Sequence, residues 1–217
     1  PEMTISEWAD SERQLSREAS AEPGQWDTTR AEYLRGIMDA VSDPAVEVVV
    51  AMFSAQSGKT EVVLNTIGYH IHHDPCPMLV VMPNDQMCTS LSRDRIAPMV
   101  RDSPALKGLI KEPKSRTTGN TVNHKLFPGD HLTLASAQST SNLSARPCRV
   151  ICFDEVDRFI ASTSEGDPVT LGRQRSVSFW NRKILMTSTP TVRGESRIEA
   201  AYETSDQRRF WIPCESC

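Results

Sequence analysis

Ser54, Ala55, Gln56, Ser57, Gly58, Lys59 and Thr60 form a small-residue loop after the apolar, β-branched run of residues 46–53 and before Glu61-Val62-Val63-Leu64. A buried strand, a loop closing on Gly-Lys-Thr and then helix formers together specify a phosphate-binding loop, with a nucleoside triphosphate as its ligand. The chemistry explains the residue types. The β and γ phosphates need donors that replace water, and backbone N–H groups backed by a helix N-terminus supply them. Lys59 reaches those phosphates as a mobile charge, the Thr60 hydroxyl sits on Mg²⁺, and Gly58 leaves room for both. Phe53 stands where the pattern has its first glycine, so the start of the loop must be built differently. Taken alone, the loop could be a strand-to-helix turn with an incidental Gly-Lys-Thr.

A second group weighs against that. Arg149-Val150-Ile151-Cys152-Phe153-Asp154-Glu155 is an apolar strand ending in two carboxylates. ATP hydrolysis needs one acid to hold Mg²⁺, here Asp154, and a second to orient the attacking water, here Glu155. Further on, residues 183–187 form another apolar run that ends in Thr187, Ser188, Thr189 and Pro190. Hydroxyls at that strand end are placed to sense the γ phosphate and couple it to motion; a proline-capped turn is the plainer reading. Gln25 and Trp26, upstream of the loop, stand where nucleotide motors place adenine contacts, although a tryptophan packed beside a turn explains Trp26 as well. His70, His72 and His73 are close together, but helices commonly end in histidine and nothing nearby completes a ligand set. Cys214-Glu215-Ser216-Cys217 is half of a four-ligand zinc site, and the other four cysteines, Cys76, Cys88, Cys148 and Cys152, read as buried small apolar residues.

The elements that must position these groups read as one α/β domain. With 217 residues, a formal net charge of -4 and pI near 5.8, the chain can bury a full core and has no global basic field, so any DNA contact must be local. It has no apolar stretch of membrane-spanning length, and its polar, acidic N-terminus carries no signal, which predicts a cytosolic protein without membrane contact. Core strands are predicted at residues 46–53, 79–81, 150–153 and 184–187, in a mainly parallel sheet flanked by helices. Helices are predicted near 4–21, as a short helix or arm, from a cap at Thr28 or Thr29 to Asp43-Pro44, at 62–73, after Asn84 or Asp85, from Asp167-Pro168 with Leu171, Val177 and Phe179, and near 198–204. Residues 125–127 and 132–136 predict paired strands, and 209–212 a last strand. The stretch 111–123, with Lys111, Lys114 and Arg116, predicts a basic loop, DNA-facing or simply solvated.

The phosphate loop with Glu61, Asp154-Glu155-Val156-Asp157-Arg158, Ser188-Thr189-Pro190-Thr191 and the stretch 26–44 together resemble the large terminase subunit of tailed bacteriophages, in the lambda-like GpA group. That resemblance implies a P-loop NTPase fold of the RecA/helicase-like terminase ATPase kind. It divides the chain into an N-terminal arm or helix over 1–25, an ATPase domain over 26–213, and the start of a linker to a C-terminal nuclease domain over 214–217. A chain ending inside a CxxC is expected to be cut from a longer one and not to cleave DNA. The implied function is ATP hydrolysis that drives double-stranded DNA packaging into a procapsid, in the cytoplasm of the infected bacterial host. The implied partners are double-stranded DNA, a small terminase subunit, a portal protein and further copies of the chain in a motor ring. The resemblance also implies a trans-acting arginine in the loop before Asp154, and Arg146 is the candidate, with Arg149 and Arg158 as rivals. The alternatives are a helicase-like nucleic-acid-dependent ATPase and a non-catalytic nucleotide-binding switch module.

Overall fold

In the computed structural model, the residues described are 3–110, 119–139, 143, 146–160, 166–212 and 214. The centre is a six-stranded sheet of β3 (Val48–Met52), β4 (Met78–Met82), β5 (His124–Phe127), β6 (Asp130–Ser136), β7 (Val150–Asp154) and β8 (Lys183–Ser188), in the order β3-β8-β7-β4-β6-β5. All neighbours run parallel except β5, which pairs antiparallel with β6 through the turn after Phe127. Two short strands, β1 (Gln14–Leu15) and β2 (Gly24–Gln25), form a separate antiparallel pair.

The parallel strands read as unbroken apolar runs because helices cover both of their faces. Alternate residues divide cleanly. Met78, Val80, Met82, Cys152 and Leu185 face one cluster, whereas Leu79, Val81, Ile151, Phe153 and Ile184 face the other. The first cluster is filled by α1 (Ile5–Glu12), α2 (Arg35–Ser42), α3 (Lys59–His72) and α5 (Ala97–Asp102), reached from α4 (Asp85–Ser90) through a π-helical segment at Leu91–Ile96. On the other face lie α6 (Pro168–Arg173), whose Gly172 leaves room for the Phe153 ring, and α7 (Arg197–Glu203), anchored by Ile198.

The N-terminal stretch is a helix, and it lies in the core rather than standing off as an arm. Thr4 caps it in a capping box with Glu7, and Ile5, Trp8 and Ala9 are wholly buried. The Trp8 indole packs against α3 at Gly68, where an added Cβ would sit 2.2 Å from the ring, and it donates to His72 Nδ1 at 3.1 Å. Burying Ile5 alone contributes about 1.5–3 kcal/mol. The division expected at residue 25 therefore does not coincide with a break in packing.

Other differences from expectation have local causes. Asp27, not Thr28 or Thr29, accepts from the Thr29 amide and caps a 3-10 turn, Thr28–Leu34, which leads into α2. α6 stops at Arg173, leaving Val177 exposed and Phe179 half-buried. Residues 209–212 are not a strand: they pair with nothing in the sheet, and Trp211 and Ile212 are 78% and 81% exposed. The basic stretch predicted at 111–123 lies largely outside the described residues, as does Cys217. Among the described residues no helix is long and apolar enough to cross a membrane.

Candidate active site

The strands β3, β7 and β8 are adjacent and parallel, so Phe53, Asp154 and Ser188 come to the same edge of the sheet. Side chains at carboxyl ends of parallel strands line a crevice that the fold cannot fill, which is where ligands bind in open α/β sheets. Phe53 solves the problem of the missing glycine. Its side chain is buried, its amide donates to the Ser188 carbonyl at 2.9 Å, and the positive-φ positions of the loop fall later, at Gln56 and Gly58. Gly58, at φ 85°, begins α3, and the Leu34 side chain lies close against it. Ser54, Ala55 and Gln56 are exposed, and the Ser57 hydroxyl donates to the Ser54 carbonyl at 2.7 Å, which closes the loop on itself.

The consecutive residues Lys59 and Thr60 meet the consecutive carboxylates Glu155 and Asp154. Lys59 Nζ lies 3.1 Å from Glu155 Oε1 and donates to Thr189 Oγ1 at 3.2 Å. Thr60 Oγ1 donates to Asp154 Oδ2 at 3.1 Å, and Thr187 Oγ1 donates to Asp154 Oδ1 at 2.6 Å. Asp154 is 1% exposed, and its hydroxyl neighbours bring hydrogens but no charge. Burial, reinforced by the charge of Glu155, pushes its carboxyl above the usual carboxylate range, against the pull of Thr187, Thr60 and Lys59. A buried carboxylate beside a hydroxyl, both hard oxygen donors and short of positive charge, suits a small divalent cation such as Mg²⁺.

Glu155 departs from ordinary backbone geometry at φ 61°, ψ 46°, a conformation that costs a non-glycine residue roughly 1–2 kcal/mol. Its amide donates to the Thr187 carbonyl at 2.8 Å, so β7 runs past Asp154 and then swings the next side chain back over the phosphate loop. Arg158 approaches the other carboxylate oxygen, with Nε 3.7 Å from Oε2.

The structure places the remaining predicted residues apart from this group. Gln25 is exposed on β2 and bonds Gln14 and the Asp10 carbonyl. Trp26 is buried, donates from its indole to Thr28 Oγ1 at 2.9 Å, and lies under the guanidinium of Arg13 at 5.1 Å. Arg13, itself 3% exposed, bonds Asn65 and pairs with Glu61, which also pairs with Arg95. This connection joins the N-terminal segment to the first turn of α3, and nothing in the local sequence around Arg13 announces it. Arg146 lies before the amino end of β7, on the side of β5, and its Nη1 contacts His124 Nε2 at 3.2 Å. Five strand spacings of about 4.8 Å separate β3 from β5, or roughly 24 Å, which sets Arg146 apart from the phosphate loop of its own chain.

Residues 20–217 match the family profile described as the ATPase domain of phage terminase large subunit gpA. The chain is 30% identical over 219 residues to the large terminase subunits of Enterobacteria phage P21 and of Escherichia phage lambda, covering 99% of this chain and 34% of each relative. It therefore spans about a third of the length of those relatives. Among solved structures, the large terminase of bacteriophage HK97 superposes with a TM-score of 0.70 at 12% identity, covering 94% of this chain and 43% of that one. The large terminase of a thermophilic bacteriophage gives 0.50 at 16% identity, covering 75% and 38%. At such identities the likeness concerns the fold.

Proposed function

Since the chain belongs to the phage terminase large subunit gpA ATPase family, we propose that it hydrolyses ATP to drive double-stranded DNA into a procapsid. The observation that carries this reading is the pairing of Lys59 with Glu155 and of Thr60 with Asp154, each at 3.1 Å, at the mouth of a phosphate loop.

The roles follow from position. Backbone amides of Ser54, Ala55, Gln56, Ser57 and Gly58, with the first turn of α3, cradle the phosphates, and Lys59 exchanges Glu155 and Thr189 for phosphate oxygens. Thr60 and Asp154 are the residues that would hold Mg²⁺, which when bound neutralises charge on the phosphates. Glu155, released from Lys59, accepts a hydrogen from the attacking water and aligns it with the γ phosphorus. Thr187, Ser188 and Thr189 couple this chemistry to movement, because Thr187 touches Asp154 and Thr189 touches Lys59. Gln25 and Trp26 border the adenine, held by the Arg13–Glu61 connection to the loop. Arg146 acts on a neighbouring copy in a motor ring, where a cation on the developing charge is worth roughly 10³ to 10⁵ in rate. The wider assembly comprises the DNA, a small terminase subunit, the portal of the procapsid and other copies of this chain, in the cytoplasm of the infected host.

Phosphate release by the full-length polypeptide, with double-stranded DNA and Mg²⁺, tests the reading. Release from wild type that is lost in Lys59→Ala supports it, and no release from wild type refutes it.

A further inference from the structure

Asp157 lies two residues beyond Glu155 and takes no part in the roles above. Its carboxylate joins two separate elements. Oδ2 accepts from the Thr191 amide at 2.9 Å and from the Thr191 hydroxyl at 3.1 Å, and Oδ1 accepts from the Ile198 amide at 2.8 Å. Its own amide donates to Ser188 Oγ at 3.2 Å. The Thr191 bonds fix the segment that follows β8, two residues from Thr189, the hydroxyl on which Lys59 rests. The Ile198 bond satisfies an unpaired amide in the first turn of α7, and a carboxylate is favoured there by the helix dipole. α7 in turn packs against β3, the strand that delivers the phosphate loop. The contacts therefore close a ring: Glu155 turn, Asp157, Thr191 segment, α7, β3, phosphate loop, Lys59 and back to Glu155.

We propose that Asp157 is the positioning residue of this site, setting the separation of Glu155 and Thr189, between which Lys59 sits, without itself touching nucleotide. This rests on the ATPase reading above. A surface aspartate serving only as a turn would need neither Thr191 nor Ile198, which lie 34 and 41 positions away. The two oxygens are both used, on different elements, and asparagine cannot copy that: its one carbonyl oxygen serves one side, and its NH₂ then faces a donor on the other.

The test uses Asp157→Asn and Thr191→Val in the full-length polypeptide, measuring steady-state ATP turnover, thermal unfolding and amide hydrogen exchange. Displacing a catalytic group by about 1 Å can cost 10²-fold. We therefore expect Asp157→Asn to lower kcat by roughly 10- to 100-fold while KM for ATP stays within about 2-fold. Exchange should rise over residues 191–203 and stay unchanged over 59–72. Thr191→Val keeps the backbone bond and should lower kcat by only about 2- to 5-fold. Unchanged kcat in Asp157→Asn overturns the inference, and so does a loss of kcat and KM in step with the melting temperature, the mark of a merely structural role. Should Asp157→Asn fail to fold, Thr191→Val decides: a lowered kcat at constant KM supports the inference and an unchanged kcat overturns it. Turnover absent from wild type would defeat the ATPase reading itself, whereas normal wild-type turnover with undiminished variants defeats only the role of Asp157.

Discussion

At the amino end of the sheet Arg149 pairs with Asp74, Arg182 pairs with Glu47 at 2.8 Å, and the Lys183 ammonium sits on the carbonyls of Asp43 and Val46. At the carboxyl end Lys59 is shared between Glu155 and Thr189, Asp154 is buried with hydroxyls for neighbours, and Glu155 holds a left-handed backbone. The same residue types are present at both ends. Where each cation is closed on its own partner, the arrangement ties strand ends together and leaves nothing for a ligand to add. Where a carboxylate is buried short of charge and a cation is shared, a charged ligand completes the set, and a functional site is written in that deficit. Arg146 breaks the pattern of its own end, because it is an exposed arginine resting on His124 rather than on a carboxylate.

The contrast can be broken by substitution. Lys59→Ala should abolish turnover altogether, because it removes the cation that Glu155 and Thr189 hold over the loop, and measurable steady-state phosphate release would show that the sharing of Lys59 is incidental. Arg146→Ala should lower turnover of the assembled protein by roughly 10³-fold or more. Mixing it with Glu155→Gln should restore part of the activity, since each site then borrows its intact half from a neighbour. No recovery in verified mixed assemblies would return Arg146 to the surface. Glu155→Gln should slow hydrolysis by about 10²-fold while nucleotide affinity, read by titration, is retained.

The smallest effect belongs to the amino end. Asp74→Asn should leave turnover within about 2-fold and destabilise the fold by only about 1 kcal/mol, because Asp74 is 35% exposed and its pair is partly screened. Hydrogen bonding from His70, followed by that from Arg149, holds the Asp74 carboxyl well below the usual carboxylate range, against burial. A depressed folded-state value stabilises above the unfolded value, about pH 4, and that stabilisation is lost as the pH falls below it. Wild type should therefore lose more thermal stability than Asp74→Asn between about pH 5 and pH 3. Equal losses would remove the pair from the stability of that end.

Much of the sheet was legible because burial on both faces leaves an unmistakable apolar run, and the expected cores at 79–81 and 150–153 differ from β4 and β7 only at their ends. The Gly-Lys-Thr and Asp-Glu pairs were legible for a similar reason, since chemistry fixes their residue types. What could not be read depends on partners far along the chain. Ile5 and Trp8 look like the apolar stripe of a loose helix until Gly68 leaves room for the indole. Arg13 is an ordinary charged residue until Glu61 and Asn65 enclose it. Residues 209–212 carry strand-forming side chains, but no sheet edge receives them, so propensity has nothing to pair with. The backbone of Glu155 is set by its bond to Thr187, which no pattern within the Asp-Glu motif encodes.

The strand order has a consequence for how the chain is made. Among the described residues β3, which ends at Met52 and delivers the phosphate loop, hydrogen-bonds within the sheet only to β8, which ends at Ser188. On a ribosome adding about 5–20 residues per second, β3 therefore waits on the order of ten seconds for its partner. During that interval β4 can find β6 and then β7, while Lys59 has neither Thr189 nor a seated Glu155. The loop written in the first third of the sequence is thus among the last parts to be assembled, and a nascent chain gains the means to handle nucleotide only once the sheet is complete.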